Sequence, residues 1–374
     1  MAAAALHPGD AYWMRRALRL ARRRAGRTWP NPTVGACIVR DGRLLAEAVH
    51  ERAGGPHAEA AALSDLRQRG IDPEGATVYV TLEPCDHHGR TPPCSHALIE
   101  ARVGRVVHAV ADLSARGHEG GARRLREHGI EVEAGLLAGP AWELNHPFFE
   151  TSADTEIHLT VKVALSLDGR FAPRTGRVED PSRRTVTGPR ARRRVHRMRA
   201  RASAVMVGSG TVEADRPRLD VRGVDDGDRL PGDPRPVVLD SRGRLDPAWL
   251  PDHALLFCGP EGSSAASAAG VEVVPVDRTG PGRLNWEAIL PALAERGLGT
   301  VLVEAGPTLA ADLLATGRAH RFHLFLAPRI LGPDGPGLVA PTALEERYRS
   351  WRSRRVGEDL EWILRRHDLP MPPG

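Results

Sequence analysis

The chain has 374 residues, and a rough prior of about 150 residues per domain predicts two domains. Hydrophobic residues make up 41% of it, which excludes an intrinsically disordered protein. No apolar run approaches the roughly 18 residues that a membrane-spanning helix needs, and the N-terminal MAAAALHPGD lacks the charged and hydrophobic segments of a secretion signal. Four cysteines are too few for a disulfide scaffold and indicate a reducing compartment. We therefore expect a cytoplasmic protein without a membrane partner.

The basic residues are almost all arginine. Lys and Arg total 52 against 47 acidic residues, a net charge of +5, and only Lys162 is a lysine. Nucleic-acid binding favours basic residues clustered on one face with aromatic residues between them, whereas the clusters at 22–24 and 190–201 lie in helix-like segments. A guanidinium group matches phosphate geometry. The composition thus favours a phosphorylated small molecule as the partner, and we expect no nucleic-acid partner.

Strands and helices alternate over the first 135 residues, which predicts a layered α/β sheet. A first helix is predicted over 11–25, with Asp10 as its N-cap. Its apolar face consists of Met14, Ala17, Leu18 and Ala21. Asp41-Gly42, between two apolar runs, predicts a β-hairpin. The other predicted elements are a helix at 57–69, a strand at 76–82, a helix at 94–102, a strand at 105–111, a helix at 120–128 and a strand at 130–135.

The alternation stops at 136–156, which we interpret as a connector, and a second α/β alternation begins at 157. Its predicted strands are 157–166, 203–208, 236–240, 254–259, 271–276, 300–306 and 322–328, and its predicted helices are 189–201, 285–296 and one from 307. A hairpin around Gly357 closes the chain. The sequence predicts two α/β domains in tandem, 1–150 and 151–374.

His57, Cys85 and Cys94 have the residue types of a catalytic zinc site. One imidazole and two thiolates fill three positions of a tetrahedral ion and leave the fourth open. Glu59, at the start of a predicted helix, would lie near the metal without binding it, where it can move protons. H-x-E followed by P-C and a further cysteine is the known signature of zinc nucleobase deaminases. It predicts that zinc-activated water attacks an amidine-like ring carbon while Glu59 carries a proton to the leaving ammonia.

The alternative is a closed structural zinc site, or two core cysteines beside an incidental histidine. Only three good ligands are present, and Pro84-Cys85 follows a predicted strand, which favours the catalytic interpretation. Cys37, on an apolar strand, and Cys258, in the second domain, are interpreted as buried hydrophobic residues.

Eight residues, DHHGRTPP, separate the two cysteines where the general deaminase pattern has two. TLEPCDHHGRTPPC, with PNPTVGACIV and HERAGGPHAE, resembles the deaminase half of the bifunctional riboflavin-biosynthesis deaminase/reductases. The resemblance implies a pyrimidine that carries a ribose phosphate, contacted by Asn31, His50, His87 and Arg90. Arg90, on a Gly-Arg turn, would hold the phosphate. For His87, a solvated loop position is the alternative.

Lys162 lies on a predicted central strand, just before ALSLDGR, in a chain that otherwise uses arginine. A compact ammonium group suits a site that a planar guanidinium does not fit. We interpret Lys162 as a catalytic residue, with chance retention as the alternative.

The second half is similar to the NADPH-dependent, dihydrofolate-reductase-like half of the same family, through VKVALSLDGRFA, VTGPRAR, VHRMRARASAVMVGSGTVEADRPRLDVR and VLVEAGPTLAADLL. Glycines after strands, at 208–211 and 304–309, let a backbone approach a pyrophosphate at a helix N-terminus; since neither has G-x-G-x-x-G spacing, ordinary turns are the alternative. The resemblance implies cofactor contacts at Ala164, Thr211, Asp215, Ser241, Gly306, Pro307, Thr308, Leu309, Ala310, Ala311 and Asp312. It places the ribose phosphate of the substrate near Arg199, Leu219, Arg222 and Glu304, with Lys162 nearby.

The resemblance spans nearly the whole chain. It implies an N-terminal cytidine-deaminase-like three-layer α/β domain followed by a dihydrofolate-reductase-like α/β domain. The implied activities are zinc-dependent hydrolytic deamination of 2,5-diamino-6-(5-phosphoribosylamino)pyrimidin-4-one and then NADPH-dependent reduction of the ribosyl chain to ribityl, with Zn²⁺ and NADPH as cofactors. We also expect a homo-oligomer.

Three departures from the family pattern keep an alternative open. The loop at 175–187 is longer than usual and lacks a tryptophan, Asp215-Arg216-Pro217 replaces Asp-Asp-Pro, and DLSA at 112–115 replaces Asp-Pro-Asn-Pro. The alternative is a paralogous pyrimidine deaminase of a specialised pathway with an altered or inactive reductase half.

Overall fold

The structure, a computed structural model, describes residues 7–87, 92–112, 120–151, 157–172, 185–224, 233–262, 267, 270–333, 335–339 and 344–371. The chain divides into two compact units, Met1–Phe149 with Pro370–Gly374, and Glu150–Leu369. Within the described ranges, no helix combines the length and the apolar character needed to cross a bilayer.

The first unit is built on a five-stranded sheet with the order β2-β1-β3-β4-β5. Its strands are β1 (Gly35–Arg40), β2 (Arg43–Val49), β3 (Thr77–Val80), β4 (Arg105–His108) and β5 (Glu131–Ala134), and its helices are α1 (Asp10–Arg22), α2 (Ala58–Gln68), α3 (Cys94–Glu100) and α4 (Gly120–Glu127). A further helix, α5 (Ala138–Glu150), ends at the boundary between the units. Strand β1 is antiparallel to β2 and β3, whereas β3, β4 and β5 are parallel. The predicted alternation of strands and helices is confirmed.

The predicted β-hairpin is present between β1 and β2. Asp41 and Gly42 have φ angles of 52° and 70°, which is the left-handed backbone that a two-residue type I′ turn requires. Asp-Gly supplies it at low steric cost, because glycine has no Cβ and aspartate tolerates this region.

Helix α1 buries the predicted apolar face, but Asp10 is not its N-cap. The buried residues include Met14, Ala17, Leu18 and Ala21. Gly9 is the N-cap and Asp10 is the first helical residue. The carboxylate of Asp10 instead accepts hydrogen bonds from Tyr79 Oη at 2.6 Å and from the two terminal nitrogens of Arg105 at 3.0 and 3.1 Å. The carboxylate also accepts the backbone N–H of His7 at 2.7 Å, so tertiary pairing with a buried guanidinium is combined with a local contact.

The prediction of a connector at 136–156 is wrong for α5, which occupies much of it. Trp142 is fully buried and stacks on Phe149 with ring centroids 4.5 Å apart, so packing stabilises this helix. Pro147 lies inside the helix, where its missing N–H and its ring disfavour helical structure. The apolar periodicity is also irregular, and these two features together concealed the helix.

The second unit is built on a nine-stranded sheet with the order β10-β9-β8-β7-β13-β6-β14-β16-β15. Its strands are β6 (His158–Ser166), β7 (Ala204–Gly208), β8 (Arg235–Asp240), β9 (Leu255–Cys258), β10 (Glu272–Pro275), β13 (Thr300–Glu304), β14 (Arg321–Ala327), β15 (Tyr348–Val356) and β16 (Asp359–Arg366), with a separate small hairpin of β11 (Arg278–Gly280) and β12 (Arg283–Leu284). Its helices are α6 (Pro189–Arg199), α7 (Ser209–Asp215), α8 (Trp286–Glu295), α9 (Pro307–Thr316) and α10 (Leu344–Arg347).

The strands from β10 to β14 in this order are parallel, and only β16 and β15 are antiparallel to their neighbours. In parallel sheets, ligands bind at the carboxyl ends of the strands. Helices α7 and α9 begin directly after β7 and β13, so their N-termini lie at that edge. The fold therefore places the predicted glycine turns where a cofactor can bind.

His108, the last residue of β4, should make the first unit sensitive to acid. Its side chain is buried, with Nδ1 3.3 Å from the carbonyl oxygen of Val110. Burial lowers the pKa of His108 to about 4, from 6.5 in an unfolded chain. Because the pKa of His108 is lower in the folded protein, the unfolded chain takes up the proton first as the pH falls. The contribution of the buried neutral imidazole to stability is therefore complete above pH 6.5 and is lost as the pH falls from 6.5 through 4. A difference of this size corresponds to about 3 kcal/mol.

Replacing His108 with valine should therefore flatten the fall in stability between pH 6.5 and 4. Urea denaturation of the first unit at several pH values measures the slope. The control is His128→Val, since His128 is exposed and should leave the slope unchanged. An H108V variant as acid-sensitive as the parent protein would show that another group controls this range.

Candidate active sites

The structure brings His57, Cys85 and Cys94 together. His57 is the N-cap of α2, Cys85 follows β3 in a loop, and Cys94 is the first residue of α3. The Nδ1 atom of His57 lies 3.4 Å from Sγ of Cys85 and 3.3 Å from Sγ of Cys94. All three ligand atoms lie within 4.8 Å of one another. Three segments that are distant in sequence thus converge on one point.

This cluster fits a zinc ion. A tetrahedral ion with Zn–S near 2.3 Å and Zn–N near 2.0 Å has N···S edges of about 3.5 Å, close to the 3.3 and 3.4 Å found here. Three donors leave one position for water or substrate, as in catalytic sites. Nδ1 of His57 faces both sulfurs, so it is the nitrogen that would bind the metal.

Glu59 lies two residues after His57, in the first turn of α2, and is 3% exposed. Burial, together with the nearby Cys85 sulfur, raises the pKa of Glu59 to about 7. A carboxyl group in such a position can accept a proton and release it again. The structure therefore places Glu59 beside the cysteines and encloses it in protein, and its role as a proton carrier stays a prediction.

Backbone and side-chain donors surround the Cys85 sulfur. The backbone N–H of Cys94 lies 3.4 Å from it, at the N-terminus of α3, where the helix dipole favours a thiolate. Hydrogen bonds from the side chains of Cys94 and His57 lower the pKa of Cys85. Thiolate is the form that binds metal.

Residues outside the predicted site hold the Cys85 loop in place. Glu83 accepts the backbone N–H groups of Asp112 at 3.2 Å and Ala122 at 3.0 Å, and so ties the loop to α4. At Gly121 an added Cβ would lie 1.7 Å from the carbonyl oxygen of Pro84, so only glycine fits. These contacts join segments that are distant in sequence, so no local motif could predict them.

Asp86 is a second supporting residue that the sequence did not single out. Its Oδ1 accepts hydrogen bonds from Ser95 Oγ at 2.6 Å and Arg124 Nε at 2.5 Å. In the sequence, only the position of Asp86 next to Cys85 could have indicated this supporting role.

Asn31 and His50 form a pair near the metal ligands. Nδ2 of Asn31 lies 3.1 Å from Nε2 of His50, and Nδ1 of His50 lies 2.9 Å from the carbonyl oxygen of Pro56. A carbonyl oxygen only accepts, so Nδ1 carries the hydrogen and Nε2 accepts from Asn31. The rings of His50 and His57 are 5.4 Å apart, edge to face. The amide of Asn31 is therefore held in one orientation beside the metal site.

Of the other two predicted substrate contacts of this unit, His87 and Arg90, the structure describes His87. Nδ1 of His87 is buried and has no hydrogen-bond partner in the described part of the chain, which suits a group that awaits a ligand. Arg90 lies outside the described residues, so its phosphate contact stays a prediction.

In the second unit, Lys162, Glu304 and Arg199 meet on one face of the sheet. Glu304 Oε2 lies 3.5 Å from Nζ of Lys162, and its Oε1 accepts a 2.5 Å hydrogen bond from Nε of Arg199. Lys162 and Arg199 together hold the pKa of Glu304 near 2, against the opposing effect of burial. The carboxylate is therefore ionised, and two cations lie around it.

Asp220 extends this group. Its carbonyl oxygen accepts from Arg199 at 2.9 Å, and its carboxylate pairs with Arg222 at 3.1 Å. Leu219 is buried, with φ of 55°, a left-handed conformation that turns the chain at this point. The predicted phosphate contacts Arg199 and Arg222 are thus brought to one aspartate that sequence reasoning missed.

The predicted cofactor contacts lie on four neighbouring strands or in the segments after them, in the order β8-β7-β13-β6. Ser241 follows β8, Thr211 and Asp215 lie in α7, Gly306 is the N-cap of α9, Pro307, Thr308, Leu309, Ala310, Ala311 and Asp312 lie within α9, and Ala164 lies in β6. Three strand spacings amount to about 14 Å, which suits an extended ligand. An added Cβ at Gly306 would lie only 3.8 Å from Oγ1 of Thr211, so these two turns are adjacent.

Asp312 differs from the rest of this set. Its carboxylate accepts from Nε1 of Trp286 at 2.8 Å and pairs with Arg283 at 3.3 Å. A contact between Asp312 and the cofactor stays a prediction. The loop at 175–187 lies mostly outside the described residues, as does most of DLSA at 112–115.

Sequence comparison finds a related protein family for each half. The cytidine and deoxycytidylate deaminase zinc-binding region matches residues 8–110, and the RibD C-terminal domain matches residues 157–361. Riboflavin biosynthesis protein RibD of Escherichia coli K12 is 36% identical over 94% of this chain and 98% of its own length. The RibD protein of Aquifex aeolicus is 36% identical over 96% of this chain and 99% of its own length.

Solved structures agree with these relatives. Acinetobacter baumannii RibD has a TM-score of 0.74 and 33% identity, with 96% of this chain and 99% of that chain covered. A diaminohydroxyphosphoribosylaminopyrimidine deaminase/5-amino-6-(5-phosphoribosylamino)uracil reductase from Thermotoga maritima has a TM-score of 0.75 and 32% identity, with coverage of 96% and 98%. The expected fold, a deaminase-like unit followed by a reductase-like unit, is confirmed. With relatives above 30% identity covering almost the whole chain, the protein belongs to the RibD family and is a deaminase and reductase of riboflavin biosynthesis.

Proposed function

We propose that the first unit deaminates 2,5-diamino-6-(5-phosphoribosylamino)pyrimidin-4-one and that the second reduces the ribosyl chain of the product to ribityl with NADPH. The observation that carries this proposal is the pairing, within one chain, of a three-ligand cluster beside Glu59 with the contact of Lys162 and Glu304. The Thermotoga maritima relative, a diaminohydroxyphosphoribosylaminopyrimidine deaminase/5-amino-6-(5-phosphoribosylamino)uracil reductase, supports the substrate class.

In the deamination, the ring carbon gains the oxygen of water and loses its amino group as ammonia. His57, Cys85 and Cys94 would hold zinc, which when bound would lower the pKa of the attacking water. Glu59 is enclosed beside the cysteines, so it takes a proton from that water and delivers it to the departing nitrogen. Asn31, held by His50, offers its amide oxygen to a donor on the pyrimidine.

In the reduction, the segments that follow β8, β7 and β13 would hold the nicotinamide cofactor, which when bound would supply a hydride. The double bond at C1′ of the ring-opened sugar would then gain that hydride on carbon and a proton on the atom bonded to C1′. The ammonium of Lys162, paired with ionised Glu304, provides a positive charge and a proton source on the sheet face where the substrate binds. Arg199 and Arg222 provide charge for the phosphate. Since Glu304 contacts both Lys162 and Arg199, the arrangement favours an active reductase half over the paralogue with an inactive one.

A coupled assay on the pyrimidine phosphate tests both activities in one cuvette, by ammonia release and by absorbance of the nicotinamide. Ammonia release followed by NADPH oxidation is the expected result. Ammonia release without oxidation of either NADPH or NADH would support the paralogue with an inactive reductase half.

Replacing Lys162 with arginine should lower the rate of reduction by about 10- to 100-fold, although the charge is kept. The planar guanidinium cannot take the position of the compact ammonium, and a misplacement of about 1 Å can cost this much. Single-turnover reduction of deaminated substrate measures the effect, and ammonia release by the same sample is the internal control. An unchanged rate of reduction would make the lone lysine a coincidence.

A further inference from the structure

His196 and Arg199 lie on α6 and contact the same short segment, 220–222. The backbone N–H of Arg222 donates to Nδ1 of His196 at 3.1 Å, and the carbonyl oxygen of Asp220 accepts from Arg199 at 2.9 Å. Residues three apart share one side of a helix, so both side chains leave α6 toward this segment. The imidazole of His196 therefore borders the arginines that are proposed to attract the phosphate.

The contact with Arg222 decides which nitrogen of His196 carries hydrogen. A backbone N–H only donates, so Nδ1 accepts and is bare. Burial, helped by the positive charges of Arg199 and Arg222, lowers the pKa of His196 against the opposing effect of Glu304 and Asp220, so the ring is neutral at neutral pH. A neutral ring with a bare Nδ1 has its hydrogen on Nε2.

This Nε2–H group is available to a ligand. The ring of His196 is half-exposed. In the part of the chain that the structure describes, Nδ1 is the atom of this ring that makes a hydrogen bond. A side chain that is fixed through one nitrogen thus presents the other as a donor.

Positive charge prevails beside this donor. The carboxylates of Asp220 and Glu304 pair with three arginines, Arg199, Arg218 and Arg222. At least one positive charge is left over, and an anion that binds here would balance it. A phosphate suits the site because guanidinium and imidazole N–H groups all donate to its oxygens.

We propose that His196 is a further substrate-binding residue of the second unit, whose Nε2–H donates a hydrogen bond to the phosphate that Arg199 and Arg222 attract. A neutral donor suits this position, because one more cation would repel the two guanidinium groups while the site is empty. The proposal rests on the proposed function, since its ligand is the phosphate of the proposed substrate.

Two substrates separate phosphate binding from a structural role: the deaminated pyrimidine with its 5′-phosphate and the same compound without it. The ratio of their kcat/KM values in the reduction is the phosphate preference. His196→Leu should lower this ratio about 10- to 100-fold, the usual value of a hydrogen bond to a charged group. A loss of packing alone would slow both reductions equally and leave the ratio unchanged.

His196→Gln is the conservative variant. Its amide oxygen can accept the N–H of Arg222 and its amide nitrogen can donate to the phosphate, so the ratio should stay within a few-fold of the parent. The control is His367→Leu, at an exposed histidine whose Nε2 lies 2.9 Å from the carbonyl oxygen of Glu345. This variant should keep the ratio of the parent.

If circular dichroism shows that His196→Leu does not fold, His196→Glu decides. Its carboxylate still accepts the N–H of Arg222 but has no hydrogen to donate, so the phosphate preference should fall at least as far. An unchanged ratio in the leucine or the glutamate variant would overturn the proposal, as would equal losses in the leucine and glutamine variants. The proposed substrate itself fails, and the role of His196 with it, if the parent protein reduces both compounds equally well.

Discussion

Replacing Glu59 with glutamine should reduce ammonia release by at least about 10²- to 10⁴-fold, the usual contribution of a positioned proton carrier. Glutamine has nearly the same shape, so it can occupy the same buried position in the first turn of α2. It cannot take a proton from water and deliver it to the leaving nitrogen. Steady-state ammonia release on the pyrimidine phosphate measures the loss.

Metal content distinguishes a proton carrier from a ligand. The E59Q protein should keep one zinc per chain by elemental analysis, because His57, Cys85 and Cys94 already supply three ligand atoms within 4.8 Å. Cys85→Ser is the contrasting variant, and it should lose both zinc and ammonia release. Both variants should still reduce substrate that has already been deaminated. Zinc loss in E59Q would place Glu59 among the ligands instead.

The metal cluster could be predicted because its signal is local and chemical. His57 with Glu59, and Cys85 with Cys94, occur as short motifs, and the residue types alone specify zinc with one open position. Packing only had to bring two motifs together, which a sheet with a helix after each strand does. Hydrophobic periodicity likewise predicted nearly all strands and helices, because burial of one face determines both.

The features that sequence reasoning missed depend on pairings between distant residues. Asp10 reads as a helix cap, but Arg105, 95 residues away, takes its carboxylate. The imidazole of His323 reads as an isolated polar residue in an apolar strand until β14 and β16 pair and bring Glu361 to it. A side chain's partner across a sheet depends on strand order and register, which a single sequence does not encode locally.

The buried carboxylate of Glu150 is the second place where a single substitution should have a large effect. Its Oε1 accepts from Arg321 at 2.6 Å and from Arg365 at 2.7 Å, and His158 Nε2 lies 3.1 Å from its Oε2. The side chains of Glu150, Arg321 and Arg365 are at most 1% exposed. Two guanidinium groups that water cannot reach thus converge on the carboxylate of Glu150.

Replacing Glu150 with glutamine should lower the free energy of unfolding of the second unit by about 3–5 kcal/mol, the usual cost of breaking a buried ion pair. For a unit of this size, that corresponds to a fall in melting temperature of about 6–20 °C. Calorimetry, with loss of reductase activity marking the second unit, measures the change. Exchanging Arg365 for glutamine as well removes a charge of each sign and should restore part of the loss, since residues in one ion-pair network couple.

Glu272 offers a matched control, because it too pairs with two arginines. Its carboxylate accepts from Arg235 at 2.5 Å and Arg296 at 2.8 Å, but the side chain is 43% exposed. Water can replace these contacts, so Glu272→Gln should cost no more than about 1 kcal/mol. The two variants make the same chemical change at carboxylates that each pair with two arginines. Burial is the main difference between them, besides the His158 contact of Glu150. Equal losses for Glu150→Gln and Glu272→Gln would mean that the buried guanidinium groups do not depend on the charge of Glu150.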